Sequence, residues 1–210
     1  MTPEEFARLP RVSEATLSPD GAWMAVTVRR RNEEGARYIS DLWRVPTDGS
    51  APTPLTDGES NDRAPCFRSD GALTFLSDRQ PEGEDSDSKH SQVWQLTDAG
   101  PIRLTDEALG VSAFAWDGAR LVMRLSVLPG VPRDEQRAHA ADRKKNGPSL
   151  LRYTKMPVRH WDHWRQPTRL HLVVIDGDTR TDLTPDADGE LFESASVSYT
   201  HLTLPTTYTV

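Results

Sequence analysis

The sequence predicts an all-β fold: a β-propeller fragment of about three four-stranded blades, with a short N-terminal helix and a partly helical insertion. Three markers, recurring in one order and with one period, predict it. The first is an Asp-Gly pair, at Asp20-Gly21 in "LSPDGAWMAV", at Asp70-Gly71 and at Asp117-Gly118. The second is a tryptophan in a short apolar run, Trp43 in "DLWRVPTDG" and Trp94 in "SQVWQLTDAG". The third is a Leu-Thr pair closing each unit, at Leu55-Thr56, Leu104-Thr105 and Leu183-Thr184. A single Asp-Gly is no more than a hairpin turn, but three phased markers about fifty residues apart mark a structural repeat. A unit of about four short strands cannot bury both faces of its sheet alone, so neighbouring units must stack.

Each element follows from local chemistry. In "TPEEFARL", Thr2 caps, Pro3 suits the first helical position and Glu5 completes a Thr-x-x-Glu capping box, so residues 1–10 carry a short helix. After Pro10, strand-like runs alternate with turn residues: "AWMAVTV", "DLWRVPT", "ALTFLSD", "SQVWQLT", "RLVMRLSV" and "RLHLVVID". Apolar Trp23, Ala25, Leu73, Phe75, Leu121 and Met123 are expected to pack blade against blade. The glycine after each aspartate supplies the positive φ of a tight hairpin. The third unit is longer by about thirty residues, which places an insertion near 126–168. Within it, "PRDEQRAHAADRKKNGP" has helix-forming composition between prolines, with Asn146-Gly147 as a stop. The incomplete propeller spans 11–197.

Bulk properties narrow the function. The chain has 210 residues, 36% hydrophobic and 27% charged, as expected of a soluble globular protein with a sizeable core. No apolar stretch approaches the ~20 residues of a membrane span, and no signal-like leader opens the chain, so a cytoplasmic, membrane-free location is expected. Cys66 is the only cysteine, which agrees with a reducing compartment. A net charge of -7 has the wrong sign for tracking phosphate backbones, so no nucleic-acid partner is expected.

"RVSEATLSPDGAWMAVTV", "LWRVPTDGSAPTPLTDG" and "FRSDGALTFLSDR" resemble the start of the propeller domain in the prolyl oligopeptidase family of serine peptidases, within its acylaminoacyl-peptidase and dipeptidyl-peptidase-like branch. "YTKMPVRHWDHWRQPTRLHLVVID", residues 153–176, is similar to the Arg-His-Trp-Asp segment that some bacterial and fungal dipeptidyl peptidases of this type carry. The resemblance runs from about residue 10 to about 197. It implies a propeller seated on a C-terminal α/β-hydrolase domain with a Ser-Asp-His triad, and peptide substrates handled through that domain. This chain has no G-x-S-x-G, so no catalytic residue is carried over and the chain by itself is expected to be inactive. Residues 198–210, "SYTHLTLPTTYTV", are similar to translated sequencing-adapter tails and are read as non-native, with truncation before the hydrolase domain.

"RHWDHW" is the segment singled out as a substrate-facing loop: Arg159, His160, Trp161, Asp162, His163 and Trp164. Read as one strand, it puts His160 and Asp162 on one face and His163 on the other, which does not converge on a metal. The alternative is structural: Trp161 and Trp164 pack, and Asp162 pairs with Arg159 or Arg165, shaping the propeller mouth. "EGEDSDS", residues 82–88, lacks the calcium-loop pattern and reads as a solvated hairpin loop. "DGDTRTD" at Asp176 likewise reads as a type I′ or bulged hairpin turn. The "RKK" end of the insertion helix lies in a stretch of five basic and three acidic residues, and is read as a solvated face. No metal or cofactor is expected. The function expected is the substrate-gating propeller portion of a serine exopeptidase acting on short peptides. Its rivals are a Tol-B-like interaction scaffold and a non-enzymatic chain that assembles with others through open blade edges.

Overall fold

The computed structural model describes residues 2–32, 37–80, 90–147, 150, 153, 159–160, 163–164 and 166–187. It opens with helix α1 (Pro3–Arg8), whose cap is reciprocal as the sequence predicts. The Thr2 hydroxyl accepts the Glu5 N–H at 3.2 Å and the Glu5 carboxylate accepts the Thr2 N–H at 2.7 Å.

Three four-stranded antiparallel sheets follow. The first blade is β1 (Arg11–Leu17), β2 (Trp23–Arg31), β3 (Tyr38–Pro46) and β4 (Thr53–Pro54), paired in chain order. The second is β5 (Arg63–Phe67), β6 (Leu73–Ser77), β7 (Gln92–Thr97) and β8 (Gly100–Arg103). The third begins with β9 (Val111–Asp117) and β10 (Arg120–Val127). An insertion then holds a 3-10 turn (Arg133–Glu135), helix α2 (Gln136–Asn146) and the short strands β11 (Arg159–His160) and β12 (His163–Trp164). The blade resumes with β13 (Arg169–Asp176) against β10 and ends with β14 (Thr179–Asp182). The predicted insertion helix and all six predicted strand runs are present.

The blades stack through the residues their alternation selects. Leu42 of the first blade meets Phe75 and Trp94 of the second. Leu76 and Val93 of the second meet Val111, Leu121, Met123, Leu125 and Val173 of the third. Ala25, Leu73, Phe75, Leu121 and Met123 are buried as expected. Trp23 lies at the seam, edge-on to the Phe67 ring at 5.0 Å. Polar links cross the same seams. Glu14 Oε2 on β1 accepts the Thr27 hydroxyl at 2.9 Å and the Ala64 N–H at 2.8 Å, while Trp116 Nε1 donates to the Thr74 hydroxyl at 2.9 Å.

All three Asp-Gly glycines have positive φ, Gly21 at 71°, Gly71 at 87° and Gly118 at 61°. The turns are not alike, however. In the first two the aspartate accepts the N–H two residues on, Ala22 for Asp20 and Ala72 for Asp70, within a longer connection. In the third, Asp117 and Arg120 are register partners, so only Gly118 and Ala119 lie between the strands. The Asp176–Thr179 turn corrects one expectation. Only Gly177 has positive φ (57°), whereas type I′ needs it at both central residues, so the type I′ alternative does not apply. Helix α2 is solvated as read from its charges, with Gln136 its one buried residue. The stretch 82–88, Trp161, Asp162, Arg165 and the tail 198–210 lie outside the described residues. Among the described residues no helix is long and apolar enough to cross a membrane.

Candidate functional site

The first and third strands of each antiparallel blade start at one end of the sheet and the second strand ends there. The interblade linkers and the insertion therefore emerge together, opposite the Asp-Gly turns. The chemistry-bearing side chains collect at this linker end.

Glu107, in the linker from β8 to β9, is its centre. Gln92 on β7 holds the Glu107 backbone from both sides: its Oε1 accepts the Glu107 N–H at 3.0 Å and its Nε2 donates to the Glu107 carbonyl at 2.8 Å. The same Oε1 accepts the Thr105 hydroxyl at 2.9 Å. The Glu107 side chain, 7% exposed, then accepts from Arg133 of the insertion at 3.3 Å and from Arg180 of β14 at 3.3 and 3.4 Å. One carboxylate thus joins a linker, the insertion and the outermost strand of the third blade. Gln136 fixes the exit from β10, accepting the Leu128 N–H at 2.7 Å and donating to the Leu128 and Val131 carbonyls.

Beside this cluster His171 on β13 lies 2.6 Å from Asp182 on β14, through Nδ1 and Oδ2. The other Asp182 oxygen accepts the Thr184 N–H at 2.9 Å, which fixes the carboxylate and, through it, the imidazole. Both residues line a cavity of about 370 Å³, together with Glu107, Arg133, Arg180 and apolar Leu109, Val127 and Val131. The volume suits a small ligand or a peptide side chain. Among the described residues no hydroxyl or thiol is hydrogen-bonded to His171, so the Asp-His pair has no nucleophile beside it.

Further round this end, the guanidinium of Arg137 bonds Asp106 at 2.6 Å and holds that carboxyl below the usual range. Burial, with the charges of Arg137 and Lys144, pushes the His90 imidazole down. In the first linker Asp62, fully buried, takes Arg79 at 2.6 Å. Burial nonetheless pushes the Asp62 carboxyl above the usual carboxylate range, against the opposing pull of Ser77 and Arg79. Among the described residues no group of three acidic, histidine or cysteine side chains could hold a metal ion.

The segment 159–164 also sits at this end, within the insertion. It is not the single strand of the sequence reading. Arg159 is the register partner of Trp164, and His160 of His163, so the chain doubles back on itself as a short hairpin. Trp164 is half exposed and stacks on Tyr153, with ring centroids 6.2 Å apart. Neither cluster was among the predicted site residues: Glu107 joins arginines 26 and 73 residues away, and the His171–Asp182 pair, 11 residues apart, depends on the β13–β14 pairing.

No protein-family model matches the chain. Over 78 residues, 37% of its length, it is 40% identical to dipeptidyl-peptidase 5 of Porphyromonas gingivalis, and that region is 11% of the relative. Over 199 residues, 92% of its length, it is 26% identical to dipeptidyl-peptidase 5 of Porphyromonas endodontalis, where it spans 27% of the relative. Among solved structures, AtxE2 isopeptidase superposes on 88% of the chain with a TM-score of 0.53 at 19% identity, over 32% of its own length. The acylaminoacyl peptidase of Pyrococcus horikoshii superposes on 85% with a TM-score of 0.55 at 12% identity, over 26% of its own length. Similarity in sequence to the two dipeptidyl-peptidases and likeness in fold to two further peptidases support the reading of the chain as a propeller-like fragment of the prolyl oligopeptidase kind.

Proposed function

We propose that the chain is the substrate-gating propeller portion of a serine exopeptidase that hydrolyses short peptides, with the nucleophile and its triad supplied by a hydrolase domain outside these residues. The observation that carries this reading is the kinship with two dipeptidyl-peptidases, which extends across 92% of the chain in one of them. In this reading the linker end faces the hydrolase, and the stacked blades admit short or unfolded chains while excluding folded ones. The segment Arg159, His160, Trp161, Asp162, His163 and Trp164 contributes to the substrate-facing rim. The chain alone then has no peptidase activity, since acyl transfer needs an activated nucleophile. The names of the relatives favour this reading over a non-enzymatic scaffold.

The test uses complete dipeptidyl-peptidase 5 of Porphyromonas endodontalis, which aligns with 92% of the chain. Substituting the residues aligned with Asp162 and His163 is expected to raise KM for peptides with little change in kcat, the signature of lost binding. Unchanged kinetics would remove the hairpin from the substrate path. Hydrolysis by the purified 210-residue chain, sensitive to a serine-directed reagent, would overturn the division of labour itself.

A further inference from the structure

At the linker end of the first blade the structure carries a strip of arginines with no acidic partner among the described residues. Arg11 on β1 and Arg29 on β2 are register partners, so two like charges stand directly opposite each other. Directly opposed residues of an antiparallel pair share a face, as do residues two apart on a strand, which puts Arg31 beside them. Tyr38 on β3, the register partner of Arg31, completes the face. Its ring lies under both neighbours, 4.7 Å from the Arg29 guanidinium and 5.7 Å from that of Arg31, and the Arg11 guanidinium is 5.5 Å from the Phe6 ring of α1. Arg30, on the opposite face of the same strand, is the one neutralised there, by Asp41 at 2.7 Å. Arg11, Arg29 and Arg31 are exposed and make no ion pair among the described residues.

Directly opposed like charges destabilise a sheet, and a chain of net charge -7 has acid side chains to spare for pairing them. Leaving three guanidiniums without an ion pair among the described residues, at one end of an acidic molecule, works against folding, and a ligand of opposite charge would offset it. The aromatic rings hold the planar guanidiniums in place, which lowers the entropy lost when they grip a planar anion through paired N–H groups. A carboxylate has that shape and charge. An extended peptide with acidic side chains fits a strip along a sheet end better than a compact ion does. A nucleic acid carries a charge at every phosphate and meets the negative field of the chain along its whole length, whereas a short acidic segment engages the strip alone.

We infer that Arg11, Arg29 and Arg31, backed by Tyr38, form a docking strip for acidic segments of peptides. The inference rests on the peptide reading above and adds a substrate preference to it. The test is binding of a fluorescent, blocked heptapeptide of alternating Gly and Glu to the full 210-residue chain, followed by anisotropy beside its Gly-Gln counterpart. The Glu peptide is expected to bind about tenfold more tightly, with the difference shrinking as salt rises. Arg29→Gln and Arg31→Gln together are expected to erase the difference. Arg120→Gln, at the opposite end of the third blade, should leave binding unchanged.

Equal binding of the two peptides would overturn the strip while leaving the peptidase reading intact. Absence of binding by either would also overturn it, and the kinetics of the complete homologue test the peptidase reading separately. Retention of the preference in the double variant would place the site elsewhere. Tighter binding of an oligothymidylate than of the Glu peptide would reassign the strip to nucleic acid.

Discussion

The Thr184 hydroxyl accepts the backbone N–H of Leu172 at 2.9 Å, and the N–H of Leu183 donates to the Leu172 carbonyl at 2.8 Å. The same two bonds close the other blades. Thr56 takes the Leu42 N–H at 3.0 Å while Leu55 donates to the Leu42 carbonyl, and Thr105 takes the Val93 N–H at 2.9 Å while Leu104 donates to the Val93 carbonyl. The Leu-Thr pair therefore ends each blade by saturating both polar groups of one residue on the third strand, with backbone on one side and a hydroxyl on the other.

This device sets an order among threonine substitutions. Thr105 is buried, accepts from Val93 and also donates to Gln92, which in turn holds Glu107. Thr105→Val is expected to cost about 2–3 kcal/mol, since it strands a backbone N–H and a buried amide oxygen. Thr184→Val strands the Leu172 N–H alone and is expected to cost about 1 kcal/mol. Urea midpoints of the two variants check this, and equal losses would mean that the link to Gln92 carries no energy.

Two glycines separate backbone strain from crowding. Gly21 has φ of 71° and open space where a Cβ would sit, so Gly21→Ala is expected to cost about 1–2 kcal/mol from conformation alone. Gly110 has φ of 79°, and a Cβ there would lie 3.0 Å from both the Ser91 carbonyl and the His90 Cβ. Gly110→Ala should therefore be the more damaging by at least about 1 kcal/mol. Equal melting temperatures for the two variants would refute the crowding argument.

The fold was legible because each blade marker is local. The Asp-Gly glycine, the strand alternation and the capping box at Thr2 and Glu5 act within a few residues, and so they appear at fixed spacing. What each marker does was less visible. Nothing in Leu104-Thr105 alone says that the hydroxyl replaces a ladder acceptor for Val93. The Glu107 cluster was hidden for a different reason, since its arginines are 26 and 73 residues away and only the stacking of blades brings them together. The single-strand reading of 159–164 missed the pairing of Arg159-His160 with His163-Trp164, since no glycine in that stretch signals a reversal. The arginine strip needed the β1–β2 register, which places Arg11 against Arg29 and no periodicity supplies.

Asp62 gives a pH signature. Its folded-state carboxyl is pushed up by burial, so the native state binds the proton before the unfolded state does as pH falls. Its contribution to stability is unfavourable at neutral pH. It becomes less so as pH drops through the raised folded value, and the gain is complete below the unfolded value of about 3.9. Carboxyls held low, such as Asp70 at about 2 beside Arg68, act in the opposite direction and mask it in the wild type. The difference between wild type and Asp62→Asn removes them. Unfolding midpoints from neutral pH down to about pH 4 should show wild type gaining on the variant, and parallel curves would show that the carboxyl titrates normally.

Glu107 joins the third blade to the insertion through two unequal partners. Arg180 is 26% exposed and approaches with both Nε and a terminal nitrogen, whereas Arg133 is 61% exposed and approaches with one. Solvent screens the second pair far more than the first, and a long exposed side chain loses more freedom in forming it. Glu107→Gln keeps the shape and the backbone clamp of Gln92 but removes the charge that faces both arginines. It is expected to cost about 1–3 kcal/mol. Double-mutant cycles divide that loss: Glu107→Gln with Arg180→Gln should show a coupling of about 1–2 kcal/mol, and with Arg133→Gln below about 0.5 kcal/mol. A larger coupling to Arg133 would mean that the insertion, not the outer strand, is what the carboxylate holds.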